Sequence, residues 1–165
     1  MSERDRESQG AGGTVYLVDD EEMVVTSLES YLQLETRHRV RTFVSPERAL
    51  EAVEEDEPDV MVADFMMPGM DGIELLKAVR GRRPAASRIL LTGYADKENA
   101  IRAINEADIY QYVEKPWENE RLELIIHNAV ERARLIRDLD ARMEQLEEAH
   151  GELADLRRRL VETFL

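Results

Sequence analysis

The sequence predicts an α/β domain built on a doubly wound parallel sheet and continued by a long C-terminal helix that forms a coiled coil. Three observations lead to this prediction. Short apolar runs alternate with stretches of helical spacing, two of those runs are apolar without interruption, and leucines recur every seven residues near the end. Alternating strands and helices are typical of βαβ units around a parallel sheet, and a leucine heptad is typical of a coiled coil.

Five strands are predicted, each closed by a polar turn: Thr14–Val18, Arg39–Phe43, Asp59–Ala63, Arg88–Leu91 and Ile109–Val113. The third and fourth contain unbroken apolar runs, which are expected of strands covered by helices on both faces. Since connections between parallel strands are right-handed, the helices cover both faces of the sheet and the domain has three layers.

Five helices are predicted to begin near Glu21, Pro46, Asp71, Asp96 and Glu118. The second has the clearest start, because Ser45 can cap it and Pro46 stands at the first helical position, where its missing N–H costs nothing. We expect the folded domain to cover residues 14–128. Residues 1–13 are polar and have little to bury, so they are predicted to form a disordered arm.

The fifth helix is predicted to continue through residues 129–165. From Glu118 onward the sequence has no proline and only one glycine, Gly151, so a single helix about 70 Å long is allowed. Leucines seven residues apart take the d positions of a heptad: Leu139, Leu146, Leu153 and Leu160. The a positions are mixed: Ile136, Met143, His150, Arg157 and Phe164.

This heptad predicts a homodimer through residues 129–165. Arg142 at a g position would face Glu147 at an e position of a parallel partner, which is an attractive pair. His150 and Arg157 at a positions weaken the seam locally. The alternative is an amphipathic helix that folds back on its own domain, and the sequence leaves it open.

Composition narrows the classes of partner. The chain has 165 residues, of which 43% are hydrophobic and 35% charged, and its formal net charge is −14. Such acidity repels polyphosphate and anionic lipid, so neither nucleic acid nor membrane is expected as a partner. Cysteine is absent, which excludes thiolate chemistry. A secretory signal and an apolar run of about 18 residues are also lacking, so a cytoplasmic protein is expected.

Polar side chains stand where the predicted strands end. Asp19 and Asp20 follow the first strand, Asp64 follows the third, Thr92 ends the fourth and Lys115 follows the fifth. In an open α/β sheet the carboxyl ends of the strands converge on one crevice. Each residue has an ordinary structural explanation by itself, but their joint placement predicts a site.

The chemistry of this set points to phosphoryl transfer. Three clustered carboxylates repel one another unless a cation or protons offset the charge, and oxygen ligands without Cys or His favour Mg²⁺. A carboxylate beside Mg²⁺ is a competent nucleophile toward a phosphoryl group. Metal, lysine and hydroxyl would then hold the three equatorial oxygens during transfer, so the set predicts phosphorylation of Asp64.

These residues resemble the receiver domain of two-component response regulators. The resemblance covers Thr14 to Asn128 and is carried by Asp19-Asp20, Asp64 with Met66-Met67-Pro68-Gly69-Met70-Asp71-Gly72, Leu91-Thr92-Gly93-Tyr94, and Tyr112-Val113-Glu114-Lys115-Pro116. It implies a flavodoxin-like sheet with strand order 2-1-3-4-5. It also implies a signalling switch that accepts a phosphoryl group from a histidine kinase and passes the change to a coiled-coil dimer or a downstream output domain.

The resemblance also implies a role for each position. Asp64 is the phosphoacceptor and a Mg²⁺ ligand with Asp20, while Asp19 acts mainly through water and Met66 supplies a main-chain carbonyl. Lys115 pairs with the phosphoryl group, and its bond to Pro116 is usually cis in the family. The switch residues are Thr92 and Tyr112. Catalysis is confined to phosphorylation and dephosphorylation of the chain's own Asp64.

Two alternatives remain at this point. A Mg²⁺-dependent phosphohydrolase of the haloacid-dehalogenase type would need an acid two residues after the nucleophile, where this chain has Met66. The other is a coiled-coil scaffold with an inactive receiver. Met66 and Tyr94 flank the expected site, and their bulk predicts obstruction of the attacking water and a long-lived phosphoryl group.

Overall fold

The computed structural model describes residues 12–93 and 97–164. The five strands are β1 Thr14–Val18, β2 Arg39–Phe43, β3 Val60–Asp64, β4 Ser87–Thr92 and β5 Gln111–Glu114. The five helices are α1 Glu22–Glu35, α2 Pro46–Glu55, α3 Gly72–Arg82, α4 Lys97–Ala107 and α5 Asn119–Phe164. Elements alternate along the chain as predicted, and the bounds of β1 and β2 match the sequence prediction.

The strands form one parallel sheet in the order β2-β1-β3-β4-β5, which confirms the predicted order. The order in which strands are added reverses between β1 and β3, since β2 lies on one side of β1 and β3 on the other. The carboxyl ends of β1 and β3 therefore border a crevice. Val18 at the end of β1 is opposite Ala63 of β3, and Asp64 is opposite Leu91 of β4.

The two faces of the sheet carry separate apolar cores. On one face Tyr16, Val18, Met61 and Ala63 pack with buried residues of α2, α3 and α4. On the other, alternate residues of the same strands, together with Ile89 and Leu91, pack with α1 and α5. Side chains of successive strand residues point to opposite faces, so every residue of β3 and β4 is buried. This is why both strands contain unbroken apolar runs.

Side-chain caps fix where two of the helices begin. The hydroxyl of Ser45 accepts a hydrogen bond of 3.4 Å from the N–H of Arg48, and Pro46 is the first residue of α2. Helix α3 has a capping box, in which Asp71 and Glu74 each accept a hydrogen bond from the other's N–H, at 2.8 and 3.0 Å. This box ends the loop from β3 and therefore helps to set the position of that loop.

The chain divides into two compact units, one ending at Ala133 and one beginning at Arg134. Helix α5 is continuous across the division and buries residues as far as Val130 and Ala133 in the first unit. In the second unit the leucines of the predicted heptad are exposed. None of the helices among the described residues is both long enough and apolar enough to cross a membrane.

Most of the predicted arm, residues 1–11, lies outside the described part of the chain. Gly12 and Gly13 lie inside it, and Gly13 is buried. The N–H of Gly13 donates to Nδ1 of His38 at 2.9 Å, and its carbonyl accepts from the N–H of Arg39 at 2.8 Å. The start of β1 is therefore tied to the start of β2.

Candidate functional site

Three carboxylates meet at the carboxyl ends of β1 and β3. Asp19 and Asp20 follow β1 and Asp64 is the last residue of β3, and one oxygen of each lies within 4.8 Å of the others. Asp19 and Asp64 are buried, at 1% and 6% exposure, while Asp20 is exposed. The parallel sheet brings these strand ends together, so the cluster follows directly from the topology.

Lys115 joins this cluster from the end of β5. Its Nζ lies 2.7 Å from Oδ1 of Asp64 and 3.6 Å from Oδ2 of Asp19. The other oxygen of Asp19, Oδ1, accepts a hydrogen bond of 3.0 Å from the N–H of Glu21. Among the described residues, Oδ2 of Asp19 has no hydrogen-bond partner.

Burial dominates the electrostatics of the cluster. It raises the pKa of Asp19 to about 6, with a further increase from Asp64 and a decrease from the Glu21 N–H and Lys115. Burial also raises the pKa of Asp64, against the hydrogen bond and charge of Lys115. Burial alone would lower the pKa of Lys115, but the hydrogen bond and charge of Asp64 raise it overall. Lys115 is therefore held as an ammonium between two carboxylates that burial disfavours as anions.

Thr92 is buried at the end of β4, opposite Glu114 of β5. Its carbonyl accepts a hydrogen bond of 2.8 Å from the N–H of Lys115. The Lys115–Pro116 peptide bond is cis, as the resemblance implies. The backbone of Thr92 and that of Lys115 are thus linked, and both residues stand beside the strand end that carries Asp64.

A cleft of about 690 Å³ opens over the carboxylates. The residues lining it include Asp20, Glu21, Met66, Met67, Gly93 and Lys115. Met66 is 67% exposed, so its side chain stands at the rim. Tyr94, the other predicted flanking residue, lies outside the described residues.

The ring of Tyr112 lines a different cleft, of about 510 Å³, together with Trp117, Glu118 and Arg121. It is 38% exposed. The structure therefore does not bring Tyr112 together with the carboxylates, whereas Asp19, Asp20, Asp64 and Lys115 are in one group.

Two residues that position the site escaped the sequence interpretation. Glu21 orients Asp19 through its backbone N–H, and the signal for this was an Asp followed two residues later by a helix start, the usual pattern of an Asx turn. Gly72 packs against the acceptor strand: a Cβ at this position would overlap the carbonyl oxygen of Asp64 and lie 2.9 Å from its carbonyl carbon. The absence of a side chain at Gly72 thus leaves space for the backbone of Asp64.

The donor set fits a magnesium ion. It offers carboxylate oxygens only, Oδ2 of Asp19 is buried without a hydrogen-bond partner among the described residues, and Asp20 faces the open side of the cleft. Hard oxygen ligands that leave room for several waters suit Mg²⁺.

Comparison with known families places this geometry in context. The family model for the response regulator receiver domain matches residues 15–127. Among curated proteins, the hydrogenase transcriptional regulatory protein HoxA of Cupriavidus necator is 41% identical over 118 residues, which are 72% of this chain and 24% of that protein. The DNA-binding transcriptional regulator NtrC of Escherichia coli is 31% identical over 118 residues, 72% of this chain and 25% of that protein. The chain spans about a quarter of the length of these relatives.

Solved structures agree with the family match. The signal receiver domain of an HD domain-containing protein from Pseudomonas fluorescens is 31% identical, with a TM-score of 0.73 over 77% of this chain and 93% of that one. A response regulator receiver domain protein from Clostridium thermocellum is 28% identical, with a TM-score of 0.70 over 75% of this chain and 98% of that one.

Proposed function

Since the chain belongs to the family of response regulator receiver domains, we propose that it is a phosphorylation-dependent switch of a two-component system, with a histidine kinase as phosphoryl donor and Asp64 as acceptor. The observation that supports this proposal most is the 2.7 Å contact between Nζ of Lys115 and Oδ1 of Asp64 inside a cluster of three carboxylates. A buried nucleophile, a fixed cation and an oxygen-rich metal site are the parts that phosphoryl transfer requires.

In the proposed reaction a carboxylate oxygen of Asp64 attacks phosphorus. An O–P bond forms, and the bond from phosphorus to the donor's nitrogen breaks, with the electron pair leaving on that nitrogen. Mg²⁺, when held by Asp20, Asp64, the Met66 carbonyl and, through water, Asp19, would supply positive charge to the phosphoryl oxygens. Lys115 is close enough to Asp64 to pair with a phosphoryl oxygen after a small movement of its ammonium.

The proposed switch residues are Thr92 and Tyr112. Thr92 would donate its hydroxyl proton in a hydrogen bond to a phosphoryl oxygen, and the Tyr112 ring would move inward behind it. Support comes from the linkage of the Thr92 carbonyl to the N–H of Lys115 and from the partly exposed position of Tyr112. A change of charge at Asp64 would thereby determine which of two positions the Tyr112 side chain takes.

The proposed output is a homodimer through residues 129–165, or a downstream output domain. Support for the dimer is the row of exposed leucines on α5 beyond Ala133. HoxA and NtrC are named as transcriptional regulators, but the match covers only about a quarter of each. The net charge of −14 gives residues of this chain no general attraction for nucleic acid.

The proposal limits catalysis to Asp64 itself. No turnover of an external phosphate ester is expected, because a phosphohydrolase would need an acid where Met66 stands. A receiver transfers the phosphoryl group to its own carboxylate and loses it to water.

The test is the intact mass of the purified chain after incubation with acetyl phosphate and Mg²⁺. Wild type should gain one phosphoryl group, and Asp64→Asn should gain none. Asp56→Asn, a change of another aspartate outside the site, is the matched control and should behave as wild type. Light scattering on the same samples reports whether oligomer size changes. An unmodified wild type, with acetyl phosphate or with kinase, would indicate the inactive scaffold instead.

A further inference from the structure

The exposed apolar residues of α5 do not follow one heptad from end to end. Leu139, Met143 and Leu146 are spaced by four and then three residues, and each is more than half exposed. Leu153, Leu156 and Leu160 are also more than half exposed, but they are spaced by three and then four. The order of the two spacings is therefore inverted between the two groups. Leu139 and Leu146 take d positions in the upstream group, whereas Leu153 and Leu160 take a positions in the downstream group.

In an uninterrupted heptad, the positive charge of Arg157 would be placed in the core of the dimer. Such a heptad places Arg157 at an a position and Leu156 at a g position beside the seam. In a parallel dimer the a residues of the two chains face each other, so two guanidinium groups would meet in the core. Burying like charges without partners is unfavourable, and an apolar leucine would remain at the edge of the seam.

We propose that the dimer formed by residues 129–165 changes register at His150, Leu153 and Leu156, so that Leu156 and not Arg157 enters the core. This inference rests on the proposed homodimer and specifies how the second copy packs. Upstream the seam follows Leu139, Met143 and Leu146; downstream it follows Leu153, Leu156 and Leu160.

Charge complementarity supports a second copy in this register. With Leu153 at an a position, Glu152 takes a g position and Arg157 an e position. A g residue faces the following e residue of the other chain in a parallel coiled coil, so Glu152 of one copy meets Arg157 of the other with opposite charge. The upstream pair, Arg142 with Glu147 of the second copy, is retained because it precedes the change.

The local sequence suits such a change. Two successive spacings of three residues overwind a coiled coil locally. Gly151, the only glycine of α5, lies within this step, and nothing lies within 4 Å of the place where its Cβ would be. Glycine adapts its backbone dihedrals more freely than other residues. One cost is that Phe164 leaves its a position, but it is the last residue of the helix, where pairing is weakest.

Single cysteines distinguish the two registers, because the chain has no cysteine of its own. Leu156→Cys and Arg157→Cys are adjacent, yet only a core position brings the two Cα atoms within the roughly 4.4–6.8 Å that a disulfide needs. Under mild oxidation of the full chain, Leu156→Cys should cross-link several-fold faster than Arg157→Cys. Leu146→Cys, a core position in both registers, is the positive control, and Glu144→Cys, on the outer face, is the negative control.

Arg157→Leu provides an independent readout by sedimentation. In the proposed register it removes the pair with Glu152 and leaves the dimer dissociation constant unchanged or several-fold higher. In an uninterrupted heptad it replaces a buried charge with leucine and lowers that constant several-fold.

The outcomes separate this inference from the function on which it rests. Cross-linking at residue 157 as fast as or faster than at residue 156, or a tighter dimer in Arg157→Leu, would overturn the register change alone. No cross-linking in Leu146→Cys, with a monomeric chain in light scattering, would overturn the parallel dimer itself. Phosphorylation of Asp64, measured by mass, is independent of both results.

Discussion

Nζ of Lys115 donates a hydrogen bond of 2.7 Å to Oδ1 of Asp64, so the proposed nucleophile is already paired with the cation that would later bind its phosphoryl group. The same ammonium is 3.6 Å from Oδ2 of Asp19. Lys115 therefore supplies positive charge where a metal ion would also supply it.

Removing this ammonium should strengthen magnesium binding. In Lys115→Met we expect Mg²⁺ to bind roughly tenfold more tightly, about 1.4 kcal/mol, because two positive charges no longer compete for the same carboxylates. Trp117 is the only tryptophan and lies two residues away, so its fluorescence can follow the titration. Lys77→Met, an exposed change on α3, is the control. An affinity equal to that of wild type would show that ammonium and metal do not compete.

The stability of the metal-free protein should depend on Asp19. Its pKa is raised from 3.8 to about 6, chiefly by burial, so its contribution to stability is present at acidic pH and is lost as pH rises through about 6. We expect the melting temperature of wild type, relative to that of Asp19→Asn, to fall between pH 4 and pH 7. A constant difference between the two proteins across that range would contradict the effect.

Added magnesium should stabilise the protein more at higher pH, which is opposite to the pH dependence expected from Asp19 in the metal-free protein. Metal binding requires the ionised carboxylates and competes with protons. Added Mg²⁺ should therefore raise the melting temperature of wild type at pH 7.5 and do so much less at pH 5. Calorimetry with and without the metal at both pH values measures this. Equal stabilisation at the two pH values would mean that the ion binds elsewhere.

A methyl group at residue 72 should disturb the acceptor strand. In Gly72→Ala the new Cβ overlaps the carbonyl oxygen of Asp64, and forcing an extra group into a packed site costs about 1–3 kcal/mol. Urea denaturation should show this loss. Gly151→Ala is the matched control, because its Cβ would have open space and the helix should gain roughly 0.5–1 kcal/mol. If both variants behave alike, the close approach at Gly72 has no energetic consequence.

Arg88 lies near the start of β4, at the end away from Thr92. Its guanidinium should contribute strongly to the free energy of unfolding. Arg88 is 2% exposed and donates to the carbonyls of Pro84, Ala86, Ala107 and Asp108 at 2.8–3.2 Å. Arg88→Met leaves buried carbonyls without donors and should lower the free energy of unfolding by about 3 kcal/mol. Arg80→Met is the control, since Arg80 is exposed and donates a 3.4 Å hydrogen bond to the Glu106 carbonyl. The prediction fails if the two losses are equal in urea titrations.

Met66 should control how long Asp64 stays phosphorylated. Its side chain stands at the rim of the cleft, and we expect Met66→Asn to lose the phosphoryl group several-fold faster because a polar amide can hold water there. Tyr94→Ala tests the second flanking residue in the same way. Time courses of intact mass after removal of the donor give both rates. Rates equal to that of wild type would show that neither side chain obstructs water.

The family resemblance implied the strand order. The placement of polar residues at the ends of predicted strands predicted the meeting of Asp19, Asp20, Asp64 and Lys115, because the strand ends of a parallel sheet converge whatever the loops do. Sequence patterns placed the start of β5 two residues early, at Ile109. Asp108 has a φ of +48°, and the strand begins at Gln111, three residues after this position. An aspartate with a positive φ cannot be identified from the sequence alone.

Other features depended on tertiary contacts that no local pattern encodes. Arg88 reads as a polar strand edge, yet it is among the most buried side chains because several backbone carbonyls point at it. From the sequence, Gly72 is recognised only as part of the motif after Asp64, yet its lack of a Cβ matters because the Asp64 carbonyl lies where a Cβ would be. Tyr112 lies in the cleft with Trp117 and not with the carboxylates, and the position of its ring is not set by any local sequence pattern.

The edges of the sheet limit how copies of this chain can associate. One edge strand, β2, carries the charged side chains of Arg39 and Arg41, both of which pair with Asp56; the other, β5, has only four residues. Charged and short edge strands discourage strand-to-strand pairing between molecules. Growth of the sheet from one molecule into the next is therefore disfavoured, and assembly is left to surfaces made of helices.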